Sequence, residues 1–370
     1  MKILYVTTVS MTMCFFPEHI KMLIALGHSV HFATNCDDPV PDIYKTIDCK
    51  IHHIPFSRSP FDKTNLDAYR VLKKLVETEH YDIVHTHTPN ASMIVRLACR
   101  NVRKQGTKVV YTAHGFHFYK GAPLKNWLMY YPVEKFCAKY TDVLITINTE
   151  DFDLAKKKFH VRDTFYVPGV GIDLSKIDKV NPDHIAIRKA MNVPEKCVLL
   201  LSVGELNVNK NHEVVVRALA KLNNPNVHYA IAGLGDKKEY LEQLATKLGI
   251  KNQFHLLGYR TDAFSLYKTA DVFVFPSFRE GLSVSLMEAM ASGMPIVCTK
   301  IRGNVDLVEE GKGGQLFMPR DVDTLCSHLK VLVDDEKVRQ KYGAYNRVAV
   351  EKFGIKNVLE KMKEIYAIVC

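Results

Sequence analysis

Apolar runs of strand length alternate with segments of helical period along almost the whole chain, and no other feature constrains the fold as tightly. A parallel sheet covered on both faces needs such near-continuous apolar strands, with helices as the crossovers between them. In the first half the runs predict strands over Lys2–Val9, Ser29–Thr34, Lys50–Phe56, Asp82–Thr86, Lys108–Thr112, Asp142–Ile147 and Thr164–Val167. In the second half they predict Val198–Val203, His228–Ala232, Gln253–Leu257, Asp271–Phe275 and Pro295–Thr299. Helical periodicity falls at Pro17–Leu26, Thr64–Glu79, Asn211–Leu222, Lys237–Leu248 and Leu282–Ser292. The expectation is an α/β fold of two Rossmann-like halves, for which 370 residues suffice.

The stretch from Pro168 to Pro182 has neither period and reads as a hinge. The expected division is a first domain over 1–175, a second over 176–350 and a terminal segment over 351–370. Within that segment Val358–Val369 is amphipathic, with nothing left in a completed second domain to cover it, so it is expected to cross back to the first. Open parallel sheets bind ligands beyond the carboxyl ends of their strands, so two such domains facing one another put a site in the cleft.

Composition narrows the class. The nine cysteines form no C-x-x-C pair and stand at no metal-finger spacing from histidine, which argues against a disulfide framework or structural zinc and for a reducing, cytoplasmic setting. The N-terminal apolar run is broken by Pro17, Glu18 and His19 before bilayer length, and reads as a first strand rather than a signal peptide or span. Fifty Lys and Arg against forty Asp and Glu give +10. From Arg96 to Lys139 there are nine bases and one acid, Glu134. There, Lys120 to Tyr131 mixes bases with the single Trp and neighbouring aromatics. That mixture suits either docking on an anionic headgroup layer or an ordinary amphipathic helix with solvated lysines. No helix-turn-helix, RNP aromatic set or zinc finger is present, so nucleic acid is not an expected partner.

The strongest chemical constellation runs from Phe275 to Val297. A strand ends at Pro276, a glycine-bearing loop follows, and a helix is expected from Leu282, its free backbone N–H groups offering an anion site. Glu280 stands before that terminus and Glu288 about two turns inside it. Carboxylates beside a diphosphate repel it unless they accept hydrogen bonds from hydroxyls. The pair therefore suggests a ligand with hydroxyls on both sides of its phosphates, such as a nucleotide-sugar.

This E-x7-E stretch, Glu280-Gly-Leu-Ser to Glu288-Ala-Met-Ala-Ser-Gly-Met-Pro, closely resembles the signature of glycosyltransferase family 4, retaining enzymes of the GT-B fold. Further landmarks agree in order and spacing: Ser202 to His212, Ala232-Gly-Leu-Gly-Asp236, Leu256-Leu-Gly-Tyr-Arg260, the hinge Val167 to Asp173, and Tyr111-Thr-Ala-His-Gly-Phe116. The resemblance implies that Glu280 accepts from hydroxyls of the transferred sugar and Glu288 from the ribose. It implies that the N–H groups of Gly281, Leu282 and Ser283 hold sugar and diphosphate oxygens, and that Lys210 neutralises the leaving diphosphate. His114 would line the donor sugar from the first domain, Gly204 would belong to the first donor loop, and Gly258, Tyr259 and Arg260 would lie near the base. The family usually has a basic residue just after that loop's glycine; this chain has Glu205. Lys210 would then act with another base, Arg279 or Arg260, or the donor geometry differs. The loop Thr7 to Met13 also lacks the double glycine many members carry.

The implied activity is metal-independent, cofactor-free transfer of a hexose or N-acetylhexosamine, most simply from a UDP-sugar, with retention and a front-face mechanism. The basic, aromatic first domain suggests a polyprenyl-diphosphate-linked glycan acceptor and peripheral attachment at the inner face of the cell membrane, in bacterial surface polysaccharide synthesis. A soluble small acceptor, or a nucleotide-sugar-binding protein without catalysis, are the alternatives. His85 and His87 follow a strand in an H-x-H pattern, for which packing or a substrate hydrogen bond is favoured over metal. His52, His53, His117 and His212 are read as packing or capping residues. Asp151-Phe-Asp153 and Asp321-Val-Asp323 imitate a metal motif but sit at expected helix starts, where Asp caps.

Overall fold

The computed structural model describes residues 1–369, which form two compact units. The first comprises Met1–Gly171 with the helix Ile355–Val369, and the second Ile172–Gly354.

In the first unit seven strands make one sheet: β1 (Lys2–Val9), β2 (Ser29–Asn35), β3 (Cys49–His53), β4 (Ile83–Thr86), β5 (Lys108–Ala113), β6 (Val143–Thr146) and β7 (Asp163–Tyr166). Their order is β3-β2-β1-β4-β5-β6-β7, with every pairing parallel. The two-residue period of a strand divides β1 between two cores. Ile3 and Tyr5 pack with the helices Pro17–Ala25 and Ile355–Val369, while Leu4 and Val6 pack with Thr64–Glu79 and Pro89–Ala98. Helix Ile355–Val369 buries Val358, Met362, Ile365, Tyr366 and Val369, a spacing that defines one face, in the same core as β1. Tyr366 fixes it there, its hydroxyl 2.6 Å from His85 Nδ1 and 3.0 Å from the Tyr5 hydroxyl.

The second unit repeats the plan with β8 (Val198–Val203), β9 (Val227–Ala232), β10 (Phe254–Gly258), β11 (Val272–Phe275), β12 (Ile296–Thr299) and β13 (Gly314–Phe317). The order is β10-β9-β8-β11-β12-β13, again all parallel. In each sheet the order reverses at the first strand, β1 or β8. The connections leaving that strand and its parallel neighbour, β4 or β11, run to opposite sides, so their loops diverge and leave a crevice at the carboxyl edge.

Three local expectations differ from the structure. Strand β13 was not predicted, since Gly-Gln-Leu-Phe carries too short an apolar run to register. The stretch 168–182 contains a short helix, Leu174–Asp178, started by Asp173, whose side chain accepts from Ser175 N. The helix expected from Leu282 begins at Val284, because Ser283 has extended backbone and its hydroxyl caps Leu286 N.

Candidate functional site

At the crevice of the second unit the loop after β8 and the loop after β11 are stitched together. Phe278 N donates to Asn209 O at 2.8 Å, and Asn209 Nδ2 donates to Arg279 O at 3.0 Å. Asn211, in the left-handed region at φ +52° that Asn tolerates, donates from Nδ2 to Pro276 O and Pro319 O. These bonds bring Lys210 and Glu280 together: Nζ lies 2.7 Å from Oε1, with both side chains mostly buried. The Lys210 ammonium also stands over the Phe275 ring, 4.8 Å from its centroid, and its stem runs beside Gly204.

The loops after β8, β9 and β10 are equally close. Gly204 N donates to Ala232 O, Leu206 N to Leu234 O, and Gly233 N to Gly258 O. A Cβ on Gly233 would lie 1.8 Å from Gly204 O, so only glycine permits this approach. Tyr259 projects into solvent, 76% exposed. Arg260, proposed from sequence as a second phosphate base, is held by Asp262 in a bidentate pair at 2.7 and 2.5 Å. Arg279 meets no carboxylate among the described residues, which leaves it the freer of the two bases.

Glu205 is exposed and accepts from Asn207 Nδ2 at 2.7 Å, while Asn207 Oδ1 receives Lys210 N. The carboxylate thus shapes the loop that presents Lys210 instead of pairing with it. Gly281, Leu282 and Ser283 lie in the loop ahead of the helix Val284–Ala291, and their N–H groups precede its first turn. Glu288, inside that helix, accepts from the buried Tyr267 hydroxyl at 3.1 Å. Burial raises its carboxyl to about 7, with the Tyr267 bond opposing the shift.

Sequence reasoning passed over Arg302 and Gly303, in the loop after β12. Arg302 is buried and donates from Nε to Glu280 O at 3.2 Å. Gly303, at φ +80°, lets the chain pass so close that a Cβ would lie 2.2 Å from Gly281 O. The available signal was position: both follow a strand at the carboxyl edge, where Glu280 was found.

In the first unit His114 follows β5, partly exposed, with its Nε2 3.2 Å from Nδ1 of the buried His87. His87 lies against Phe16, with centroids 4.3 Å apart, and against Tyr5. His85 is fixed between Tyr366 and Thr112 at 2.6 and 2.8 Å. Burial holds His114 down at about 4 and His85 and His87 well below the ordinary imidazole range, so the cluster is neutral at physiological pH. The next loop residues are braced from the helix Thr149–Lys158 that follows β6, where Asp151 Oδ2 accepts from Phe116 N at 3.0 Å. Asp151 is not a cap, as sequence suggested: Asn148 caps that helix and Asp151 is its buried partner. Asp321 does cap, accepting from Thr324 N. His212 packs in the second core, bonded to the Tyr229 hydroxyl. Among the described residues no three His, Cys, Asp or Glu side chains gather in a metal-binding group.

Comparison with known proteins agrees with these landmarks. The profile described as "Glycosyltransferase Family 4" matches residues 18–176, and that described as "Glycosyl transferases group 1" matches 183–349. The chain is 37% identical over 371 aligned positions to EpsD of Bacillus subtilis (strain 168), covering 99% of this chain and 96% of the other. It is 30% identical to the UDP-Gal:alpha-D-GlcNAc-diphosphoundecaprenol alpha-1,3-galactosyltransferase of Escherichia coli, over 82% of this chain and 79% of that one. The crystal structure of Anabaena Alr3699/HepE in complex with UDP-glucose superposes with a TM-score of 0.82 at 18% identity, covering 99% of each chain, a likeness of fold. With both halves matched and relatives aligned over most of their length, the chain belongs to glycosyltransferase family 4 and has the GT-B fold.

Proposed function

We propose that the chain is a retaining glycosyltransferase that moves a hexose or N-acetylhexosamine from a UDP-sugar to a hydroxyl of a lipid-diphosphate-linked glycan, in the assembly of a bacterial surface polysaccharide. The observation that carries this reading is the Lys210–Glu280 pair at the carboxyl edge of β8 and β11. Before donor binding each group satisfies the other's charge. A nucleotide-sugar supplies a better partner to each: diphosphate oxygens for the ammonium and sugar hydroxyls for the carboxylate.

In the proposed reaction Lys210 and the N–H groups of Gly281, Leu282 and Ser283 stabilise the negative charge that develops on the leaving diphosphate. As the bond from the anomeric carbon to the phosphate oxygen breaks, the acceptor oxygen adds from the same face. Its proton passes to the departing phosphate oxygen, so UDP leaves and configuration is retained. No step is routed through a metal or a cofactor. Glu288 accepts from the ribose, Tyr259 stacks on the base, and Arg279 assists Lys210. His114, neutral, gives a hydrogen bond to the sugar without transferring a proton. The E. coli relative is named for a UDP-sugar donor and a lipid-diphosphate acceptor, which supports the same classes here.

A thermal-shift screen of UDP-, GDP- and ADP-sugars tests the donor, since a matched ligand raises the melting temperature by mass action. A UDP-sugar is expected to give the largest shift. A larger shift with a GDP- or ADP-sugar refutes the UDP assignment, and no shift with any refutes the donor site.

A further inference from the structure

The first unit holds a cavity of about 650 Å³ beyond the carboxyl ends of β1, β4 and β5. Much of its wall is apolar, with Val9, Phe61, Met93, Phe116, Met129 and Val133 prominent. A sugar alone would be matched by carboxylates and amides, whereas the one carboxylate in this wall, Glu134, is taken by Arg96 at 2.8 Å. Gly115 also lines it, so the cavity adjoins His114 in the chain. Arg58 stands in the wall, exposed, with no carboxylate partner among the described residues.

The helix Leu124–Ala138 forms one side and is apolar on its outer as well as its inner face. Its inner half carries Asn126, Trp127, Tyr130, Tyr131 and Glu134, all half-buried, and the buried Cys137 and Ala138. Tyr130 stacks on His117 and Trp127 and Tyr131 pack on Phe118. Its outer half shows Leu124, Leu128, Met129, Val133 and Phe136 to solvent, with Leu124 and Leu128 72% and 69% exposed. At 100° per residue these side chains, Lys125 and Lys135 lie within one half-turn that contains no acid. A solvated helix shows a polar outer face instead. An apolar face carrying lysines matches the boundary of an anionic lipid layer. Met129 and Val133 belong both to this face and to the cavity wall, so the two are continuous, and Phe61, 81% exposed, lines the same cavity.

We infer that the cavity receives the isoprenoid end of a prenyl-diphosphate-linked acceptor, with Arg58 on its diphosphate and the outer half of Leu124–Ala138 in the headgroup layer. This rests on the transferase reading and adds to it where the acceptor's lipid is held.

The test uses the full chain and a C15 prenyl diphosphate bearing a diazirine on its terminal isoprene. After photolysis, the label is expected within segments 58–61, 89–93 and 129–133, displaced by unlabelled prenyl diphosphate but not by inorganic diphosphate or a phosphocholine detergent. Arg58→Glu and Val133→Trp, both at exposed positions, are expected to lower labelling at least fivefold without changing the melting shift given by UDP. Label elsewhere, equal displacement by the detergent, or labelling unchanged in both variants overturns the proposal. Correct labelling without any UDP shift supports the cavity while refuting the transferase reading. A UDP shift without labelling refutes the cavity alone.

Discussion

Lys210 Nζ lies 2.7 Å from Glu280 Oε1, a contact across 70 positions of sequence that ties the loop after β8 to the loop after β11. Neither residue is near the other in the chain; the crossing point of the parallel sheet makes them neighbours. Their pairing holds the ammonium over Phe275.

The two halves of this pair are predicted to fail differently. Lys210→Ala removes a charge-assisted bond to the diphosphate, of about 1.5–3 kcal/mol, and weakens UDP by about ten- to a hundredfold. Glu280→Ala keeps UDP binding, since the ammonium is released to the phosphates, but abolishes the extra affinity of the sugar nucleotide over UDP. Titration calorimetry of both ligands against both variants checks the split.

Glu288 is predicted to make donor affinity depend on pH. In the proposed role its carboxyl, raised to about 7 by burial, must be ionised to accept fully from ribose hydroxyls. If binding requires the carboxylate, UDP affinity should fall about tenfold between pH 8 and pH 6, and Glu288→Gln should flatten that dependence. For stability the sign is opposite. A folded value above the unfolded one contributes stability that is complete at low pH and is lost as pH rises through about 7. Glu288→Gln is therefore expected to raise the melting temperature relative to wild type more at pH 8 than at pH 5.

His114 is predicted to act without titrating. Its imidazole is held near 4 by burial, so the transfer rate at saturating donor should show no histidine limb between pH 6 and pH 8. The His114 Cε1 proton shift should be constant over the same range by NMR. His87→Ala, which deletes the ring bonded to His114, should lower the rate without altering UDP affinity.

Tyr366→Phe tests how the terminal helix is held. The substitution removes a hydroxyl bonded to His85 and Tyr5 in a buried core, and is expected to cost about 1–3 kcal/mol. Urea unfolding should show this loss, while UDP binding, a property of the second unit in this account, should be unchanged.

Much of this architecture can be read from residue patterns. Strands β1 and β8 and the helix Thr64–Glu79 end where the apolar runs and the helical period end, because buried parallel strands are continuous apolar blocks. Glu280, Glu288 and Lys210 stand out by position after strands and at a helix entry. Contacts between distant loops are harder to read. Nothing in the sequence says that Arg302 reaches the Glu280 carbonyl, or that Asn209 donates to Arg279 O. The helix Leu124–Ala138 shows a second limit: both its faces are apolar, so periodicity gives no sign of which is buried. Only the Arg96–Glu134 pair and the stacked aromatics reveal the inner face.

The most direct measurement is the transfer of labelled sugar from a UDP-sugar to a lipid-diphosphate-linked glycan, followed by recovery of label in the organic phase. Wild type, Lys210→Ala and Glu280→Gln should be compared at saturating donor, with melting temperatures measured in parallel. The proposed mechanism requires transfer by wild type and a loss of about a hundredfold or more in each variant that remains folded. Transfer near the wild-type rate in folded Lys210→Ala or Glu280→Gln would contradict it.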